Sequence, residues 1–162
     1  MHRVVLLTGS NHPSKERLIA RAAELLEEHI GPIESRSEVC YSEAWGFSSQ
    51  EEFANQALLL SSELEPFEVL DRALEVEQIL GRDREAEKAE KSLSGEAYAS
   101  RVIDVDVIFY DDEQMSHPRL ELPHPRLQLR EFALVKQKIL CFIVRFLSFL
   151  IHHLYFVLFM NT

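Results

Sequence analysis

Residues 3–8 form a short apolar run rich in β-branched side chains and closed by Gly9-Ser10-Asn11, which predicts a buried strand ending in a turn. Ser14 stands as the N-cap of a following helix. Its apolar positions Leu18, Ile19, Ala22, Leu25, Leu26 and Ile30 recur at helical spacing, and Gly31-Pro32 ends it. Residues 33–43 alternate weakly and predict one half-exposed strand, broken at Ala44-Trp45-Gly46-Phe47. Asn55 to Leu60 is a further apolar run, closed by Ser61-Ser62. Pro66 then opens a second helix, with Val69, Leu70, Ala73, Leu74, Val76, Ile79 and Leu80 predicted inward and Gly81 at its C-terminal side. Residues 82–100 are charged, then rich in Ser, Gly and Ala, without periodicity, which predicts a mobile loop. Residues 102–110 carry the strongest strand signal in the chain. The order β-α-β-β-α-β predicts an α+β fold of the ferredoxin-like sandwich type, an antiparallel sheet with helices packed on one face.

Charge and composition split this picture in two. The 162 residues hold 17 basic and 27 acidic side chains, a net charge of −10. From residue 136 to the end there are three basic residues and no acidic ones, so residues 1–135 hold 14 basic against 27 acidic, a balance of −13. Five of the ten phenylalanines also lie in that last stretch. The expected organisation is therefore a domain over residues 1–135 and an atypical apolar tail over 136–162. Residues 139–160 are apolar except for Arg145, Ser148, His152 and His153. As a helix this stretch would be about 33 Å long, enough to cross a bilayer, although an arginine and two histidines are expensive there. A foreign terminus, from a shifted reading frame, and a packed core helix are the competing readings of the tail.

The acidic balance argues against nucleic acid as a partner, which calls for a basic face. Cys40 and Cys141 are too far apart in sequence to read as a metal motif or a disulfide framework. With no signal-peptide pattern at the N-terminus, a cytoplasmic location is expected. The chain carries no phosphate-binding P-loop, no dinucleotide fingerprint and no His-Glu-x-x-His motif.

Candidate chemistry concentrates in the strand Arg101-Val-Ile-Asp104-Val-Asp106. Alternation places Ile103, Val105 and Val107 on one face and Asp104 and Asp106 together on the other, about 7 Å apart. Two carboxylates on one face of a core strand repel each other, and a hard divalent cation would resolve the conflict. A solvent-facing strand would tolerate them without any metal. Arg82, Arg84, Arg101, Arg126 and Arg130 bracket the pair, and in so acidic a chain they suggest phosphate clamps. Ordinary surface ion pairing is the plainer reading of each one singly. His124 lies in a turn between Pro123 and Pro125, where a lone histidine is more often structural.

Gly9-Ser10-Asn11, Phe53-Ala-Asn55, Glu77 with Gly81-Arg82-x-Arg84, Arg101-x-x-Asp104-x-Asp106, and Pro123-His124-Pro125-Arg126 through Arg130-x-Phe132 occur in one order. Over residues 3–135 this pattern resembles the 6-hydroxymethyl-7,8-dihydropterin pyrophosphokinases of folate biosynthesis. The resemblance implies transfer of a pyrophosphoryl group from ATP to a pterin alcohol by a cytoplasmic monomer, with release of AMP. It implies that Asp104 and Asp106 hold two Mg²⁺ ions. It gives Arg82 and Arg101 a catalytic part beside the two aspartates. Glu77, Arg82, Arg84, Tyr98, Arg101, His124, Arg126 and Arg130 would form the ATP site. Ser42, Glu43, Ala44, Trp45, Phe53, Asn55 and Phe132 would form the pterin site, the two phenylalanines sandwiching the ring. Two rivals follow from the altered terminus and the fold. One is an inactive or membrane-tethered nucleotide-binding module. The other is a nucleotidyl transferase that releases pyrophosphate.

Overall fold

In the computed structural model, which describes residues 1–42, 52–84 and 102–125, the chain runs β1 (His2–Ser10), α1 (Lys15–His29), β2 (Ile33–Arg36), β3 (Cys40–Ser42), β4 (Phe53–Ser62), α2 (Pro66–Ile79), β5 (Asp104–Tyr110), β6 (Met115–His117) and β7 (Leu120–Leu122). The main sheet has the order β2-β4-β1-β5, with β3 also pairing β4, and every pairing is antiparallel. This is the ferredoxin-like order predicted above.

Strand alternation divides the sheet into two faces. Val4 and Leu6 of β1, Leu58 and Leu60 of β4, and Val105 and Val107 of β5 are buried together. Against them pack Ile19, Ala22, Ala23 and Leu26 of α1 and Val69, Ala73 and Val76 of α2. Both helices therefore cover one face, because each can bury its single apolar stripe only against the sheet.

Four local features differ from expectation, each for a physical reason. The predicted strand over 33–43 is two strands, β2 and β3. Between them the Ser37 amide donates to the Ala57 carbonyl, and the Ser37 hydroxyl accepts from the Ala57 amide. A side chain thus replaces one ladder bond and the strand bends. Ile79, predicted inward, is 53% exposed. At about 100° per residue it falls outside the stripe centred on Ala73, and Glu77 takes the buried place instead. Ser14 holds the N-cap position of α1 without a side-chain cap bond. Lastly, the β6–β7 hairpin was not predicted, because strands of three residues carry no measurable periodicity.

The α2 start follows expectation, with Pro66 in the first turn and a capping box between Glu65 and Glu68. The loop between α1 and β2 depends on Gly31. Its φ of 147° lies in the region that favours glycine, and a Cβ there would stand 2.2 Å from the Ser61 carbonyl oxygen. Among the described residues no helix is long and apolar enough to cross a membrane. The apolar stretch 139–160 and residues 85–100 of the loop predicted over 82–100 lie outside the described residues.

Candidate active site on the face opposite the helices

The strand register writes the site out in rows. Gly9 of β1 is the partner of Asn55 in β4 and of Asp104 in β5, and Asn55 is in turn the partner of Cys40 in β3. Directly opposed residues of an antiparallel pair share a face. Cys40, Asn55, Gly9 and Asp104 therefore form one line across four strands, on the face away from the helices. Asp106 stands in the adjacent row, opposite Leu7. Phe53 and Ser42, themselves partners, extend the line of Asn55 along the other edge. At roughly 4.8 Å between strands, Asn55 and Asp104 are about 10 Å apart, with the glycine between them.

Gly9 is needed there for space. A Cβ on it would lie 2.9 Å from the Asn55 Oδ1. Asn55 is buried and donates from Nδ2 to the Ser42 hydroxyl at 3.3 Å. The polar side chain is thus held in one orientation, its carbonyl oxygen over the glycine.

The other end of the row is an ionic cluster. Asp104 and Asp106 lie on one face, as alternation requires, while Ile103, Val105 and Val107 are buried on the other. Arg82 Nη1 donates to Asp104 Oδ1 at 2.6 Å and to Glu77 Oε1 at 2.7 Å. The second oxygen of Glu77 accepts from Arg84 Nε at 2.8 Å and from Arg84 Nη2 at 2.5 Å. Glu77 Oε1 also accepts from the Val105 amide at 2.8 Å, which satisfies a donor on the outer edge of β5. Burial pushes the Glu77 carboxyl up from its ordinary value. The Arg82 guanidinium pulls it back, the Asp104 charge pushes it up again, and the Val105 amide and Arg84 oppose. Every one of these hydrogen-bond partners of Glu77 is a donor, so the carboxylate is the form that satisfies them. His124 Nε2 stands 3.8 Å from Asp106 Oδ1. Its backbone amide donates to the Ile108 carbonyl, which ties the turn after β7 to the outer edge of β5.

Arg82 owes its place to the end of α2. The Arg82 amide bonds the Glu77 carbonyl and the Gly81 amide bonds the Gln78 carbonyl, the paired bonds of a Schellman motif. Gly81 takes the left-handed residue at φ 93°.

Of the residues singled out from sequence, the structure brings together Glu77, Arg82, Arg84, Asp104, Asp106 and His124 in one cluster, and Ser42, Phe53 and Asn55 in another. Glu43, Ala44, Trp45, Tyr98, Arg101, Arg126, Arg130 and Phe132 lie outside the described residues. The sequence reading missed Cys40 as a neighbour of Asn55 and Gly9 as the spacer, although alternation two residues back from Ser42 points to the former. Glu77 as a hub was also not foreseen, since nothing local marks a glutamate as buried.

The fold and the cluster define a class: a ferredoxin-like α+β protein whose sheet face away from the helices sets a carboxylate–arginine group beside an amide and an aromatic ring. Residues 5–141 match the family described as 7,8-dihydro-6-hydroxymethylpterin-pyrophosphokinase. The chain belongs to that family. Among its relatives is the 2-amino-4-hydroxy-6-hydroxymethyldihydropteridine pyrophosphokinase of Porphyromonas gingivalis, 33% identical over 121 residues, which are 74% of this chain and 78% of that protein. The enzyme of the same name from Methylorubrum extorquens is 36% identical, over 76% of this chain and 72% of the other. The Aquifex aeolicus enzyme of that name is also 36% identical, over 76% and 70%. The fold matches a solved structure of Plasmodium falciparum HPPK-DHPS with pteroate at a TM-score of 0.51 and 12% identity, over 70% of this chain. This chain spans 30% of that longer protein.

Proposed function

We propose that this face transfers a pyrophosphoryl group from ATP to 6-hydroxymethyl-7,8-dihydropterin, releasing AMP, as a step of folate biosynthesis. The observation that carries the reading is the row Asn55–Gly9–Asp104. It sets an oriented amide beside an aromatic side chain at one end and a carboxylate–arginine cluster at the other, separated by a residue without a side chain. A flat bicyclic ring with a one-carbon arm spans about 10 Å, the separation the row provides. In this reading Phe53 stacks on the ring, Asn55 reads its amide edge and Ser42 holds Asn55 in place. Arg82, Arg84 and His124 meet the triphosphate.

The donor chemistry at Asp104 and Asp106 fits Mg²⁺, which takes one or two carboxylates and fills its shell with water and substrate phosphate oxygens. Two carboxylates supply only part of a six-coordinate shell, and the nucleotide's phosphate oxygens and water would complete it. Bound there, Mg²⁺ would neutralise phosphate charge. The chain's own residues hold the rest: the arginines orient the phosphates, and the rigid strand pair fixes the ring. The pterin hydroxyl oxygen attacks the β-phosphorus in line. The new O–P bond forms as the bond from the β-phosphorus to the AMP oxygen breaks, and the hydroxyl proton passes to solvent. The further ring and phosphate contacts from Glu43, Ala44, Trp45, Tyr98, Arg101, Arg126, Arg130 and Phe132 rest on the family pattern.

The test is AMP release from ATP with the pterin alcohol. Asp104→Asn and Asp106→Asn should each reduce it by about a hundredfold or more, with thermal melting close to wild type. Normal turnover by both variants would overturn the proposal. Pyrophosphate as the product would replace it with nucleotidyl transfer.

A further inference from the structure

The Arg82 guanidinium is almost fully buried, at 4% side-chain exposure, and a single nitrogen of it bridges two carboxylates. One is Glu77, at 1% exposure, and the other is Asp104, at 16%. The two bonds differ in kind. Glu77 holds the arginine from the helix side, inside the protein, and is itself fixed by the Val105 amide and by Arg84. Asp104 meets it at the rim, where a ligand can also reach the carboxylate. A largely desolvated carboxylate beside a second one, Asp106, is costly without a cation, so Asp104 is stabilised by a positive partner before any ligand arrives. Arg82 supplies it.

We propose that Arg82 is the resident counter-ion of Asp104, held in place by Glu77 and exchanged for a divalent cation when nucleotide binds. The inference rests on the functional reading above and adds an order of events to it. A cation at either oxygen of Asp104 lies within a few ångströms of the guanidinium and is repelled by it. Metal alone therefore binds against Arg82. Metal with ATP does not, because the triphosphate offers the displaced guanidinium a new partner while Glu77 keeps the arginine at the site. The device makes the aspartate pair poor at capturing a bare cation and good at capturing one that arrives with phosphates. Glu77 acts here as a positioning residue, through Arg82 and without touching the ligand.

The diagnostic is a change of opposite sign at one residue. Calorimetric titration with MgCl₂ alone should show Arg82→Gln binding Mg²⁺ more tightly than wild type, by about tenfold or more, because the like-charge repulsion from the guanidinium is gone. Titration with a non-hydrolysable ATP analogue at saturating Mg²⁺ should show the same variant binding about tenfold more weakly. Arg82→Lys keeps the charge and should stay within about threefold of wild type for Mg²⁺ alone. A merely structural role for Arg82 would weaken both titrations together, and that result overturns the proposal, as does unchanged Mg²⁺ affinity. If Arg82→Gln fails to fold, the wild type still decides. Mg²⁺ with the non-hydrolysable ATP analogue should shift the NMR resonances of its buried guanidinium well beyond what the same Mg²⁺ concentration does alone, and equal shifts in the two titrations refute the exchange. Because these readouts need no pterin and no turnover, they fail separately from the proposed reaction, which AMP release tests in the wild type.

Discussion

Gly9 shows how one position can be set by what is missing from it. Its neighbours in the row, Asn55 and Asp104, bear the polar groups, and its own contribution is room. The 2.9 Å approach that a Cβ would make is to the end of a side chain, so Gly9→Ala moves Asn55 and spares the backbone. The expected result is a KM for the pterin raised about tenfold, close to one lost hydrogen bond, with melting lowered by about 2–4 °C at most. Steady-state kinetics at saturating ATP check it, and an unchanged KM would remove Asn55 from the ring site. The Asp pair was legible in advance, because a period of two in a strand admits only one arrangement of faces. The partner that Asp104 holds was not. Arg82 is 22 residues away, and no local pattern distinguishes it from Arg84, which is 44% exposed at the surface of the same cluster.

At the level of elements, the end of α2 matters most. Gly81 was expected as a helix stop, and it is one. The Schellman bonds around it also set the Arg82 backbone against Glu77, so that one turn places both partners of the cluster. A Cβ on Gly81 meets nothing within 4 Å, so Gly81→Ala carries only the strain of a left-handed alanine. That is about 1 kcal/mol, or about 2–4 °C in Tm for a chain of this size. The same variant should also weaken binding of the ATP analogue, because the strain is relieved by moving Arg82. A loss of stability with unaltered nucleotide affinity would show that the turn and the site are independent. Ile79 and Glu77 illustrate the limit of periodicity. Hydropathy favours the isoleucine inside, whereas the angle around the helix and the donors waiting on β5 and after α2 select the glutamate.

Across the whole molecule, the strand that carries the aspartates is tied at its far end to the helix layer. The Tyr110 hydroxyl donates to the Leu64 carbonyl at 3.0 Å, just ahead of α2, and His2 stacks on its ring. Burial, with the charges of Glu65, Asp111, Glu113 and Glu68 adding to it, pushes the Tyr110 phenol up to about 12. A folded-state value above the unfolded one stabilises fully below pH 10 and is lost as pH rises through 12. At pH 11 the loss from this group is on the order of 1 kcal/mol. Tyr110→Phe should therefore cost about 1 kcal/mol at pH 7, where the hydrogen bond is lost, and should lose less stability than wild type between pH 7 and pH 11. Urea unfolding at the two pH values checks both. Equal pH dependence in the two proteins would show that Tyr110 is not the alkaline group. The β6–β7 hairpin belongs to this scale as well. The edge contact of Phe67 with His117 and the Arg119–Asp71 ion pair seat it on α2, and His124 follows from its end. Further along, the family match runs to residue 141, past the composition break at residue 136.

The sequence alone determined whatever repeats locally: the strand–helix order, the facing of Asp104 and Asp106, the stops at Gly31 and Gly81, and the ordered motifs that mark the family. Apart from the order of the motifs along the chain, each of these depends on residues within one or two turns or strand steps of each other. Tertiary structure decided which distant residues share a row and which charge balances which. Cys40, Asn55, Gly9 and Asp104 come from four strands and meet only through register. Glu77 is buried only because β5 and Arg82 bring donors to it. Register and burial are properties of the whole packed chain, since they are fixed by the sum of contacts and not by any one segment.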